Sequence, residues 1–319
     1  MNSGRAPDAH TPHAHMLDPH APDPNTPDPN TPDRNTPDRN TKVPRFKMPP
    51  LACDAHCHVF GPAAKFPYAA DRAYTPPDAP KEHLAALHKI LGIERAVIVQ
   101  ASCHGTDNRA MLDAIATSGG RYRGIAIVDE TFADRDYAAL QEGGIRGVRF
   151  NFVKHLGGMP DMNVFRGVVE RIQPLGWHLV VHLDAVDIPE LSATFRKLSL
   201  PFVIDHMGRV KASAGLEQEP FRALLDLLKL ENCWVKVCGS ERVSSVGPPF
   251  LDAIPFAQAL VSAAPRRVLW GTDWPHPNVG RHMPNDGDLV DLLPLIAPTE
   301  ELRQKLLVEN PAALYDFPR

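Results

Sequence analysis

Residues 147–206 read GVRFNFVKHLGGMPDMNVFRGVVERIQPLGWHLVVHLDAVDIPELSATFRKLSLPFVIDH. Three short apolar runs, Gly147–Phe152, His178–Leu183 and Phe202–His206, punctuate this stretch. They are nearly continuous in apolar residues, as strands of a parallel sheet are when both faces are covered. Between them, Val164–Leu175 and Ile188–Lys197 carry apolar residues at helical spacing. The pattern extends outward. Strand candidates Ala52–Val59, Ala96–Ala101 and Arg123–Val128 precede it, and Trp234–Cys238 and Arg267–Thr272 follow. Further helix candidates are Pro80–Leu91, Asn108–Thr117, Glu219–Leu230 and Phe250–Ala263. Eight strands, each followed by a helical segment, predict an α/β fold of the closed (β/α)8 barrel type. An open doubly wound sheet is the competitor. A dinucleotide-binding version would carry a glycine fingerprint after its first strand, and none follows Val59.

Composition narrows the function. The 319 residues are 43% hydrophobic and 23% charged, with a net charge of −4. That is an ordinary globular mixture, without the basic surface nucleic-acid binding requires. No apolar run approaches the ~18 residues of a membrane span. The polar, Pro-rich beginning of the chain has no apolar signal core, so a cytoplasmic protein is expected. The five cysteines, Cys53, Cys57, Cys103, Cys233 and Cys238, are odd in number and form no small-domain disulfide framework.

Residues 1–43 differ from the rest. Positions 21–41 read APDPNTPDPNTPDRNTPDRNT, a pentad repeat of Asn-Thr-Pro-Asp followed by Pro or Arg. Frequent prolines remove backbone donors, and there is almost nothing apolar to bury. A disordered tail over 1–43 and a single catalytic barrel over 44–319 are expected. His10, His13, His15 and His20 read as solvated spacers.

A (β/α)8 barrel carries its active site at the C-terminal ends of its strands. Those ends hold His56 and His58 on strand 1, Ser102 after strand 2, and Arg149 on strand 4. They also hold His182 on strand 5, His206 on strand 6, Arg242 after strand 7, and Asp273 and His276 after strand 8. Residues i and i+2 of a strand share a face, so His56 and His58 both enter the barrel while Cys57 faces away. Paired imidazoles of this kind suit a zinc site. Arginines at a barrel mouth suit carboxylate or sulfonate recognition.

The stretches DAHCHVFGP (54–62), VIVQASCHGTDN (97–108), GIRGVRFNF (144–152), VIDHMGR (203–209) and WGTDWPHPN (270–278) resemble the 2-pyrone-4,6-dicarboxylate lactonases. They also resemble the related 4-sulfomuconolactone hydrolases of the amidohydrolase superfamily. The resemblance runs from about Pro49 to the C-terminus. It implies that His56, His58, His206 and Asp273 form the catalytic core, and that Tyr74, Ser102, Arg149 and Arg242 hold an acidic substrate. Two departures from the pyrone lactonases, which work without metal, stand out. His182 replaces their tyrosine and restores the strand-5 histidine of zinc-binding members. His155 replaces an arginine, which removes a fixed positive charge.

The expected enzyme is therefore a hydrolase that opens a small anionic lactone with a single zinc ion per chain, held by His56, His58, His182 and Asp273. No organic cofactor is expected. Asp273 is the preferred base and His206 its alternative. His276 would orient Asp273, and His155 would face the substrate or solvent. Two rivals stay open: a metal-independent 2-pyrone-4,6-dicarboxylate lactonase, and a zinc-dependent non-oxidative decarboxylase of the same superfamily.

Overall fold

Every strand candidate forms a strand, and all but the fourth are shorter than their apolar runs. The computed structural model describes residues 37–38, 40–279 and 282–318. Its strands are β1 (Cys53–Cys57), β2 (Arg95–Val99), β3 (Tyr122–Ala126), β4 (Ile145–Asn151), β5 (His178–His182), β6 (Phe202–Ile204), β7 (Cys233–Lys236) and β8 (Val268–Leu269). All neighbours pair in parallel, in the order β1-β2-β3-β4-β5-β6-β7-β8. The predicted helices lie between them, joined by a helix at Asp134–Glu142 that the sequence reading omitted. Its hydrophilic sequence buries only Tyr137 and Leu140, so its apolar stripe is thin. Among the described residues, no helix is long and apolar enough to cross a membrane.

Alternation along the strands divides the core. Ile98, Val148, Leu179, Val181 and Val235 pack outward against the helices. Val97, Val99, Ile125, Val180, Val203 and Leu269 pack together with Tyr315 and Phe317 from the end of the chain. β1 interrupts its own alternation. Its register against β2 shifts between Asp54 and Cys57, a bulge that places an extra residue on one strand. Ala55 joins the inner cluster and Cys57 the outer one. The bulge lets His56 and His58 follow Ala55 toward the barrel axis.

Closure comes from the segment beyond β8. Ala55 N–H donates to Trp270 O (2.8 Å), Asp273 N–H to His56 O (2.7 Å) and His58 N–H to Trp274 O (2.8 Å). Gly271 lies on this seam, where a Cβ would stand 2.4 Å from the backbone nitrogen of His56. Only glycine permits so close an approach.

Of the stretch read as tail, residues 37–38 and 40–43 are described, and Asp38, Asn40 and Lys42 contact the barrel. Asn285 donates to Asp38 Oδ2 (2.7 Å) and Asn40 O (3.1 Å), and accepts from Lys42 N–H (3.0 Å). Lys42 also pairs with Asp288, and Arg45 with Asp291. Polar side chains and backbone thus anchor a segment whose aliphatic residue, Val43, stays exposed. The expectation of disorder for residues 1–36 falls outside the described residues.

Asn285 also caps the helix Asp286–Val290 by accepting from Gly287 N–H. Asn285→Ala should therefore cost about 1–3 kcal/mol, from the lost cap and several hydrogen bonds. Asp288→Ala, which removes one exposed ion pair, should cost less than about 1 kcal/mol. Urea unfolding of both variants measures the difference, and equal losses would show that the Asn285 contacts contribute nothing.

Candidate active site

Backbone geometry at the strand ends aims the site. Asp273 (φ 66°), His206 (φ 49°) and His276 (φ 60°) all lie in the left-handed region. Non-glycine residues are sparse there, and when held there they cluster at functional sites. The Asp273 turn is fixed by its bond to His56 O and by His276 N–H donating to Asp273 O (2.8 Å).

Nine of the eleven residues singled out from sequence line one cavity: His58, Tyr74, Ser102, Arg149, His155, His182, His206, Arg242 and Asp273. His56 is fully buried beneath them, against Asp273. His276 is fully buried behind, where its Nε2 pairs with Asp286 Oδ1 at 3.0 Å. Its contact is thus to Asp286, with only its backbone bonded to Asp273. Arg209 and Asn278 also line the cavity and were not foreseen. Arg209 stands three residues beyond His206 and brings a third guanidinium, held by Asp184 at 3.0 Å.

The inner layer is charged. Asp273 Oδ1 lies 3.3 Å from His58 Nε2, 3.5 Å from His56 Nε2 and 3.9 Å from His206 Nε2. Arg242 Nε donates to Asp273 Oδ2 at 2.6 Å, and its NH2 donates to Pro277 O at 2.9 Å. Burial alone would raise the Asp273 carboxyl. Arg242 and the surrounding imidazoles instead hold it well below the usual range. Burial pulls His206 well below its ordinary value, and burial with Arg149 alongside does the same to His182. Both rings are neutral near pH 7.

Two buried residues escaped the sequence reading. Asp205 accepts charge from Lys236 Nζ (3.0 Å) and Arg149 NH2 (3.4 Å). Lys236, on β7, places its Nζ 2.9 Å from His56 Nδ1. Glu241 is a third omission, buried beside Asp273 and His276, with burial pushing its carboxyl up.

Three of the four expected zinc ligands come together, and His182 stands outside that group. His56, His58 and Asp273 bring donor atoms within 4.8 Å of one another, but no such group among the described residues includes His182. His182 turns its Nδ1 to Asn151 Oδ1 (3.1 Å), and its ring faces His206 with centroids 5.5 Å apart. Cys57 groups with Asp54 and His88, away from the imidazole pair. The three-residue set fits a divalent cation in donor type. His58 Nδ1 lies 2.7 Å from Val99 O and must donate there. The His58 Nε2 lone pair therefore faces Asp273 Oδ1, and a proton or a cation must lie between two such acceptors. Asp273 Oδ1 and His56 Nε2 are buried without a hydrogen-bond partner.

The fold and this histidine–aspartate site define a barrel hydrolase of the amidohydrolase type. The chain belongs to that family: residues 53–317 match the family described as Amidohydrolase. It is 50% identical over 281 residues to a 2-pyrone-4,6-dicarboxylate hydrolase of Comamonas testosteroni, covering 85% of this chain and 92% of that protein. It is 42% identical over 274 residues to a 4-sulfomuconolactone hydrolase of Hydrogenophaga intermedia, covering 85% and 90%. Among solved structures, one titled a putative 2-pyrone-4,6-dicarboxylic acid hydrolase, from Pseudomonas putida, superposes with a TM-score of 0.74 at 33% identity. That match covers 85% of this chain and 100% of the other.

The His276–Asp286 pair predicts a pH dependence. Burial lowers the imidazole, but Asp286, Glu241 and Asp273 outweigh it and raise His276 above its ordinary 6.5. A raised folded-state value stabilises the protein fully below about 6.5, and that contribution is lost as pH rises through the folded value. His276→Gln should therefore destabilise more at pH 6 than at pH 9. Urea unfolding at the two values checks this, and a pH-independent loss would count against the ion pair.

Proposed function

We propose that this protein hydrolyses a small lactone bearing carboxylate or sulfonate groups. The observation that carries this reading is the cavity's charge: three arginines, Arg149, Arg209 and Arg242, line it together with one carboxylate, Asp273. Guanidinium forks attract planar acidic groups and fix them in orientation as well as position. The lactone hydrolases similar to this chain support the same substrate class.

In this reading, Ser102, Tyr74 and Arg149 hold the acidic substituents while the lactone carbonyl faces Asp273. The Asp273 carboxylate, ionised near neutrality, takes a proton from the attacking water. The hydroxyl oxygen bonds the carbonyl carbon, and the ring C–O bond breaks. The departing enolate or alkoxide then takes up a proton. His206, neutral and 3.9 Å from Asp273 Oδ1, stands where it can relay that proton. Base catalysis of this kind contributes roughly 10²–10⁴-fold. A divalent cation, were one held there, would take His56, His58 and Asp273 as its ligands and would supply Lewis acidity and a water of lowered pKa. His182, by contrast, belongs to the substrate side.

Metal-independent opening of a pyrone dicarboxylate is the second reading, favoured by the lysine contact on His56. Product analysis tests the class: hydrolysis adds one water to the lactone, whereas decarboxylation releases carbon dioxide and would overturn the assignment.

Replacing the arginines separates recognition from support. Arg149→Met should lower kcat/KM about 10- to 150-fold on a charged lactone, from loss of a charge-assisted bond, and far less on a neutral one. Arg242→Met should impair both substrates, because Arg242 also holds Asp273. Parallel kinetics on the two lactones measure this, and equal losses for Arg149→Met would remove the anion-reading role.

A further inference from the structure

A lysine inside a barrel, wholly shielded from water, needs a reason. Lys236 is fully buried on β7, one of the largest side chains so enclosed. Its neighbours on either side, Val235 and Val237, pack outward in the helix-facing core. Its ammonium meets two groups: Asp205 Oδ1 at 3.0 Å and His56 Nδ1 at 2.9 Å. Asp205, itself fully buried, has Arg149 as its second cation.

An imidazole has two distinct nitrogens, and the partner of one dictates what the other offers. An ammonium has donors and no acceptor. Lys236 at 2.9 Å therefore requires a lone pair on His56 Nδ1, and the neutral ring must carry its proton on Nε2. The competing arrangement has Nδ1–H donating to Asp205 Oδ1, 3.2 Å away. That carboxylate oxygen is itself 3.0 Å from Lys236 Nζ, and the Nζ–Nδ1 contact is the shorter of the two that reach His56 Nδ1. Nε2 in turn lies 3.5 Å from Asp273 Oδ1, the oxygen that His58 Nε2 approaches to 3.3 Å. Catalytic hydrogen bonds are often this long before substrate arrives.

We propose that Lys236 is a positioning residue that fixes the tautomer of His56, so that Nε2 presents an N–H to Asp273 rather than a lone pair to a metal ion. Asp273 is then held from two sides, by Arg242 on Oδ2 and by His56 on Oδ1. His56 becomes a metal ligand only when the lysine contact is exchanged for Asp205. Lys236 and Asp205 are thus two alternative partners of one nitrogen, and they decide whether the imidazole pair works as a metal site. For its catalytic meaning this rests on the lactone-hydrolase reading; the tautomer itself does not.

The test reads the nitrogen directly. Full-length protein labelled with ¹⁵N-histidine, with His56 assigned through His56→Gln, should show an unprotonated Nδ1 and a protonated Nε2 at neutral pH. In Lys236→Met, where Arg149 still balances Asp205, the tautomer should reverse. Zinc affinity, titrated on chelator-treated protein, should then rise at least about tenfold, within the range outer-shell partners typically exert on a metal site. A wild-type His56 protonated on Nδ1, or a Lys236→Met variant with unchanged zinc affinity, would overturn the proposal. If Lys236→Met fails to fold, the wild-type spectrum alone still decides it. A protein with the expected tautomer but no lactone turnover would overturn the functional reading and leave this one standing.

Discussion

The hydrogen bonds between β1 and the chain beyond β8 are the constraint on which the site depends. They are made by the same residues that supply its chemistry: Asp273 donates to the carbonyl of His56, and His58 donates to that of Trp274. Barrel closure and assembly of the histidine–aspartate cluster are one event. This explains the demand for glycine at 271, where any side chain would strike the His56 backbone. It also explains why Asp273 tolerates a left-handed backbone, since the seam holds its amide and His276 holds its carbonyl.

Around that seam the protein arranges buried charge in pairs and triplets rather than singly. Asp273 is met by Arg242 and by the imidazole edges; Asp205 is met by Lys236 and Arg149. Two carboxylates thus face three cations in a nearly dry interior. A buried ion left unpaired would cost several kcal/mol, so each member constrains the others. Glu241, with an oxygen 3.6 Å from Arg242 Nε, adds a third carboxyl to this cluster.

Much of this was legible in the amino-acid sequence. The eight strands announce themselves as apolar runs, and seven of the nine residues chosen by the strand-end rule line one cavity, with Tyr74 and His155, chosen from the resemblance, beside them. What escaped has a common physical cause. Lys236 lies inside an apolar run, Trp-Val-Lys-Val-Cys, where a lysine reads as an interruption. Its meaning depends on Asp205 and His56, which only the closed barrel brings near. His182 illustrates the reverse. Residue type and strand end suggested a metal ligand; its Nδ1 meets Asn151 across the β4–β5 register and its Nε2 is buried without a partner, but it stands outside the group of His56, His58 and Asp273. The β1 bulge was invisible because no residue type encodes it, although the bulge carries His56 and His58 inward.

The pentad repeat has a consequence that concerns its copy number. Asp38, the residue Asn285 grips, belongs to the last of four consecutive units, at 22–26, 27–31, 32–36 and 37–41, each with an aspartate in its second place. The barrel reads one unit, the one tethered nearest to Lys42. Tandem repetition at the genetic level gains and loses units by slippage. Whichever unit abuts Lys42 would bring the same aspartate to Asn285, so the tract can lengthen or shorten over generations without disturbing its junction with the enzyme.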